Sequence, residues 1–306
     1  MAWLLLAFMS AALLGCYDSF KKQALKANAV IPVLFLNTLF SSFIFLPFII
    51  LSATTDTLDG SMFHVAIGGW EVHKYVVLKA LIVLSSWVLG YFGMKHLPLT
   101  IVGPINATRP VMVLVGALLV FGERLNIWQW VGVMLAVLSF LMLSRSGKKE
   151  GIDFKRDHWI WMIVGAAMFG AISGLYDKYL MAPVESGGVG LDRMLVQSWY
   201  NIYQCLMMLA MLLLLWWPKH KETTPFHWHW SIIGVSVFLS TADFMYFYSL
   251  SLPDAMISIV SMIRRGSVIV SFLFGAAFFH EKNLKAKAFD LALVLLGMIF
   301  LYIGSK

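Results

Sequence analysis

Charge is scarce in this chain: 13% of its 306 residues are Asp, Glu, Lys or Arg, against about 25% in a typical soluble protein. A soluble globule of this length could not cover its exterior with so few charges. Cysteine is nearly missing as well. The two present, Cys16 and Cys205, lie inside apolar runs and read as small buried hydrophobes, which excludes a disulfide scaffold. No Walker loop occurs, so ATP hydrolysis is not the driver, and no HxxxH or CxxC pattern falls on one helix face. His227-Trp-His229-Trp, with His220 and Glu222 nearby, therefore reads as an interfacial aromatic belt, not a metal centre. His64 and His73 have no evident partner. Neither a filter-like carbonyl motif nor a ring of charge is present, which argues against a channel. The stretch before Ala12 lacks the basic n-region of a signal peptide. Leu13-Leu14-Gly15-Cys16 looks like a lipoprotein cleavage box, but the same stretch recurs later in the chain as part of a span.

Apolar residues fill the space that charge leaves. Hydrophobic types make up 60% of the chain and the mean hydropathy is +0.81, values that also exclude disorder and a coiled coil. A membrane span needs about 20 apolar residues, and ten runs qualify: Trp3–Lys22, Val30–Ser52, Tyr75–Met94, Leu99–Phe121, Leu125–Ser144, His158–Met181, Met194–Trp217, Trp230–Leu250, Ala255–Phe279 and Lys285–Gly304. Tryptophans such as Trp70, Trp128, Trp159 and Trp217 cluster near run ends, where amphipathic rings favour the headgroup layer. The formal charge of +7 then belongs to basic loops at a membrane face and implies no nucleic-acid partner.

The runs repeat. Gly15-Cys16-Tyr17-Asp18 closes the first and Gly174-Leu175-Tyr176-Asp177 closes the sixth. Asn37 in the second answers Asn201 in the seventh. Leu97-Pro98 matches Leu252-Pro253, Tyr91 matches Tyr246, Arg109 matches Arg264, and Gly122-Glu123 matches His280-Glu281. Because five is odd, the second copy enters the membrane in the opposite sense. The expected fold is an all-α membrane protein with ten transmembrane helices in two inverted five-helix repeats, residues 1–144 and 158–306, joined by a basic loop at 145–157. Such repeats place a polar site between the halves and suit alternating access.

Ionisable side chains inside spans are costly and tend to face the bundle interior. Arg109, Arg264 and Arg265 lie about ten residues into their spans, roughly 15 Å deep at 1.5 Å per residue. Converging from opposite sides, they would clamp an anion, since a guanidinium fork matches carboxylate or phosphate. The competing reading is that one of them, Arg265 being the first choice, pairs with Asp243, Asp254 or Glu281 to tie helices together. Asp18, Asp177 and Lys178 are candidates for gating or for carrying a proton, the plainer alternative being a local pair of Asp18 with Lys21 or Lys22. Asn37 and Asn201 are candidates for substrate hydrogen bonds, or else for interhelical ones. Tyr91, Tyr246, Trp87 and Trp199 could line an aromatic wall. Asp243 and Asp290 could each neutralise an arginine. Pro98, Pro110 and Pro253 read as helix starts or kinks. No cofactor and no metal are expected.

Ten spans in two repeats, the Leu-Pro before spans four and nine, and the Gly-Glu or His-Glu closing them resemble the drug/metabolite transporter superfamily, most closely its EamA-type ten-helix branch. The resemblance implies a carrier of a small-molecule metabolite, not an enzyme, driven by exchange or a coupling proton and often an exporter. It also implies a multi-pass protein of the cell membrane, the inner membrane in a bacterium, in contact with lipid and present as monomer or homodimer. The arginines on spans four and nine are similar in position to the phosphate-binding basic residues of the superfamily's sugar-phosphate translocators, although those use lysine at some of these places. This favours an anionic cargo. Amino-acid or drug export, and outside this class a lipid scramblase, flippase or membrane-embedded enzyme, are the alternatives. Alternate loops carry fourteen Lys and Arg on one face and five on the other; the positive-inside rule then places both termini outside, whereas the family resemblance implies both inside.

Overall fold

In a computed structural model of the protein, which describes residues 2–109, 111–112, 126–148, 154, 156–181, 183–251, 260, 263–278 and 284–304, ten α-helices along the apolar runs lie among the described residues. They are α1 (Ala2–Ala24), α2 (Val30–Thr54), α3 (Trp70–His96), α4 (Leu99–Ala107), α5 (Ile127–Lys148), α6 (His158–Met181), α7 (Arg193–Met211), α8 (Ser231–Ser251), α9 (Ser267–Phe278) and α10 (Leu284–Gly304). Seven helices among the described residues are long and apolar enough to cross a membrane. Glu123, Glu281, Asp254, Pro110 and Pro253 lie outside the described residues.

Local chemistry sets several ends. The Asp192 carboxylate accepts from the amide of Leu195 at 2.8 Å and caps α7. At α5, Asn126 Oδ1 accepts from the Gln129 amide at 2.9 Å while Gln129 Oε1 accepts from the Asn126 amide at 3.0 Å, a reciprocal cap. Pro98 stands just before α4 in extended backbone, where its missing N–H costs nothing. A π turn over Leu212–Trp216 and a 3₁₀ turn over Trp217–Lys219 extend α7.

Packing is reciprocal between the halves. The most extensive interfaces are α1 on α8, α5 on α10, α3 on α6 and α2 on α7. Exchanging each helix with its counterpart five places along turns α1–α8 into α6–α3, α1–α9 into α6–α4 and α2–α8 into α7–α3, all of which occur. Sense follows from paired residues. Along α1 and α8, Ser10 Oγ donates to the Ala242 carbonyl at 2.7 Å and Ser249 Oγ to the Trp3 carbonyl at 2.8 Å, so these helices are antiparallel. Along α2 and α8, Ser236 Oγ donates to the Asn37 carbonyl and Ser240 Oγ to Ser41 Oγ, so these run parallel. With consecutive helices alternating, α1 and α6 point opposite ways, and the second repeat is inverted. Backbones approach closely through small residues: at Gly15 an added Cβ would collide with Val270 of α9.

Candidate substrate site

Spans four and nine are both interrupted at their arginines. α4 stops at Ala107, Thr108 forms a turn with its Oγ1 on the Ile105 carbonyl at 2.7 Å, and Arg109 follows. On the other side Arg264 and Arg265 precede a turn at Gly266, whose amide donates to the Ile263 carbonyl at 2.8 Å, and α9 begins at Ser267. Broken helices at a membrane-buried site free backbone groups and admit side chains from both repeats.

The three arginines are not equivalent. Arg264 forms a salt bridge with Asp243 of α8 and lies over the Tyr246 ring, 4.2 Å from its centre. Tyr200 of α7 donates to the other oxygen of Asp243 at 2.9 Å. A structural pair therefore exists, but its arginine is Arg264 and not Arg265. Arg265 makes no ion pair or hydrogen bond among the described residues and lies within electrostatic range of Arg109, Arg264 and Asp18. Arg109 donates to Asn106 Oδ1 at 3.0 Å, while its buried Nε has no partner. Its guanidinium rests on Gly170 of α6, where an added Cβ would come within 2.7 Å. Gly170→Ala is expected to push Arg109 aside while α6 still forms, since a packed interior has no slack for a methyl group; if the arginines clamp an anion as the sequence leads one to expect, isothermal titration against unaltered protein should read about a tenfold weaker affinity.

Each half contributes a Tyr-Asp pair, and each aspartate has a lysine partner, both lysines coming from the first half. Asp18 pairs with Lys21, one turn along α1, at 2.9 Å, which is the plainer of the two readings for Asp18. Ser271 Oγ of α9 also donates to Asp18 at 3.2 Å. Lys21 Nζ stands 4.3 Å from the centre of the Tyr17 ring and 5.2 Å from that of Tyr91. Lys22 instead donates to the Met94 carbonyl at 2.6 Å and to that of Leu97, satisfying free carbonyls at the end of α3. Asp177 pairs across the halves with Lys79 of α3. Lys79 is 3% exposed and sits over the Tyr200 ring at 5.1 Å. Lys79 is one of the five Lys and Arg assigned to the less basic face, but it is no loop residue: it lies inside α3, nine residues from the helix start at Trp70. Lys178 lies on α6 beside Asp177, and its side chain is outside the described residues.

The remaining candidates separate. Asn37 is fully buried and its Nδ2 donates to Tyr91 Oη at 3.0 Å, leaving Oδ1 without a partner. Asn201 turns inward on its own helix, its Nδ2 donating to the Gln197 carbonyl at 2.8 Å. Tyr91 and Tyr246 are both buried beside the charged cluster. Trp199 packs against His73, whose Nδ1 is 2.9 Å from Tyr203 Oη, a partner the sequence did not reveal; His64 Nδ1 lies 3.3 Å from Asp59 but makes no hydrogen bond among the described residues. His227 has a backbone role: its amide and carbonyl are clasped by the Asn28 side chain at 2.9 and 2.7 Å. Among the described residues no group of three His, Cys, Asp or Glu is placed to hold a metal ion.

Two interlocked five-helix units around a buried charged cluster define an inverted-repeat membrane transporter. The model of the EamA-like transporter family matches residues 1–145 and again 157–303, and the chain belongs to that family, within the drug/metabolite transporter superfamily. A crystal structure of another protein, 12% identical, superimposes with a TM-score of 0.65 over 98% of this chain and 96% of that one, which shows a shared fold. No curated protein matches the chain.

Proposed function

We propose that this protein is a secondary carrier, working by alternating access, for a small anionic metabolite held by Arg109 and Arg265. The repeats at 1–144 and 158–306 act as the two moving units. The observation that carries the reading is a charge imbalance. The described cluster holds five cations, Arg109, Arg264, Arg265, Lys21 and Lys79, against three carboxylates, Asp18, Asp177 and Asp243. Each of these carboxylates already has a cation, so two guanidiniums are left without counter-charge among the described residues. Buried charge is retained only when paired, and an anionic cargo supplies the missing partner by charge-assisted hydrogen bonds. A zwitterionic cargo fits less well, because an ammonium group would have to displace a lysine or arginine from its carboxylate. Asn37 Oδ1 and Tyr91 stand ready to accept from or donate to hydroxyl groups on the cargo.

The test is a thermal-shift screen of the purified protein against organophosphates, carboxylates, amino acids and nucleosides, followed by counterflow of the best ligand in liposomes. Stabilisation by anions and saturable exchange are expected. Stabilisation by amino acids or cations alone, or phospholipid movement without solute exchange, would refute the anionic reading.

A further inference from the structure

A buried carboxylate stands apart from the arginine cluster. Asp290 lies on α10, six residues from its start, with 1% of its surface exposed. Its backbone carbonyl accepts from Ser139 Oγ of α5 at 2.7 Å. The side chain fares differently: Oδ2 is buried with no hydrogen-bond partner among the described residues. An ionised carboxylate so placed would forfeit hydration at that oxygen without a hydrogen bond in return, and an intramembrane acid of this kind marks a functional position by default. Among the described residues the ionisable groups around it are few. On α10 itself Lys287, fully buried, lies one turn earlier and Lys285 lies beyond it. The described side chains of α5 include none, and neither α4 nor α9 carries one; Arg109 follows the end of α4.

The neighbouring residue supplies a link to the cluster. Leu291 packs with Ala107, Val268 and Phe272 in one apolar group. Ala107 is two residues before Arg109, and Val268 is three after Arg265. α10 also packs directly on α4, and α4 on α9. The two arginine-bearing breaks thus rest on the residue adjoining Asp290.

We propose that Asp290 is the carrier's proton-binding site, separate from the arginines and coupled to them through α4 and α9. The proposal rests on the carrier reading above. Protonation adds one O–H bond at a carboxylate oxygen, the proton coming from water on one side; its release to water on the other side restores the anion, and no further reactant is needed. The neutral form suits the apolar seam, while the charged form strains it. The proton therefore biases which arrangement of α4 and α9 is favoured, as linkage requires.

Spin labels on Thr57→Cys and Glu185→Cys, exposed positions in the connections before α3 and after α6, report the opening of that mouth in a Cys16→Ala, Cys205→Ala background. Without any ligand, the ratio of long to short distances is expected to change about tenfold between about pH 5 and about pH 8, a span over which a single coupled proton can shift the populations this far. Asp290→Asn should abolish the pH response, and Asp290→Glu should keep it with a displaced midpoint. An unresponsive parent protein, an unchanged response in Asp290→Asn, or an unmoved midpoint in Asp290→Glu would overturn the proposal. Arg265→Gln is expected to lose anion binding yet keep the pH response, so failure of the anion reading is recorded separately.

Discussion

Replacing Arg265 with glutamine is expected to weaken binding of the anionic cargo about 10- to 100-fold while leaving the fold intact. A hydrogen bond to a charged group contributes about 1.5–3 kcal/mol, and each 1.4 kcal/mol is about tenfold in affinity. Because Arg265 makes no ion pair or hydrogen bond among the described residues, its removal orphans no described carboxylate. Arg109→Gln should behave similarly. Arg264→Gln should not: it strands Asp243, which Tyr200 alone would then hold, and a buried charge deprived of its partner costs about 3–5 kcal/mol. Titration calorimetry alongside thermal unfolding separates the cases. Equal loss of stability in all three variants would contradict the division of labour between the arginines.

The second large effect belongs to Lys79 and Asp177, the ion pair joining α3 of one half to α6 of the other. Lys79→Ala is expected to cost about 3–5 kcal/mol, the range for breaking a buried pair by removing one member, and to lower the unfolding temperature accordingly. Lys79→Met combined with Asp177→Leu should recover most of that stability, because two apolar side chains of similar length avoid the desolvation cost. The double variant would keep its fold but lose an electrostatic tie between the repeats, so its transport should slow or become leaky. Normal transport by the double variant, with the single variant destabilised, would assign the pair to structure and not to gating.

Much of this arrangement could be read before any coordinates. Span ends at His158–Met181 agree to the residue, and the ten-helix, two-repeat plan follows from the spacing of Tyr17-Asp18, Leu97-Pro98 and their counterparts. What escaped were matters of a few ångströms. Adjacent helical residues point about 100° apart, so no spacing rule could choose between Arg264 and Arg265 for Asp243. Lys79 falls with the loop lysines only by its nearness to the run's start; standing four residues inside the run Tyr75–Met94, it already carried the signal of a membrane-buried cation. Asn201 resembles Asn37 in position, yet one bonds its own helix and the other a neighbour. Hydrogen-bond direction of this sort depends on rotamers, about which chain order says nothing. The contact of His73 with Tyr203 joins α3 to α7, and His64 comes near Asp59 through a turn in the connection before α3; periodicity describes neither.

Duplicated halves need not stay interchangeable. In a perfectly symmetric carrier the outward and inward arrangements would be mirror tasks of equal energy, and neither side would be preferred at rest. Here one aspartate finds its lysine along the same helix, and the other finds it only by bridging to the opposite half. In the alternating-access cycle proposed above, the first contact survives relative movement of the repeats and the second must be undone by it. The two end states of that cycle would then differ in free energy, giving an otherwise reversible machine a preferred resting posture.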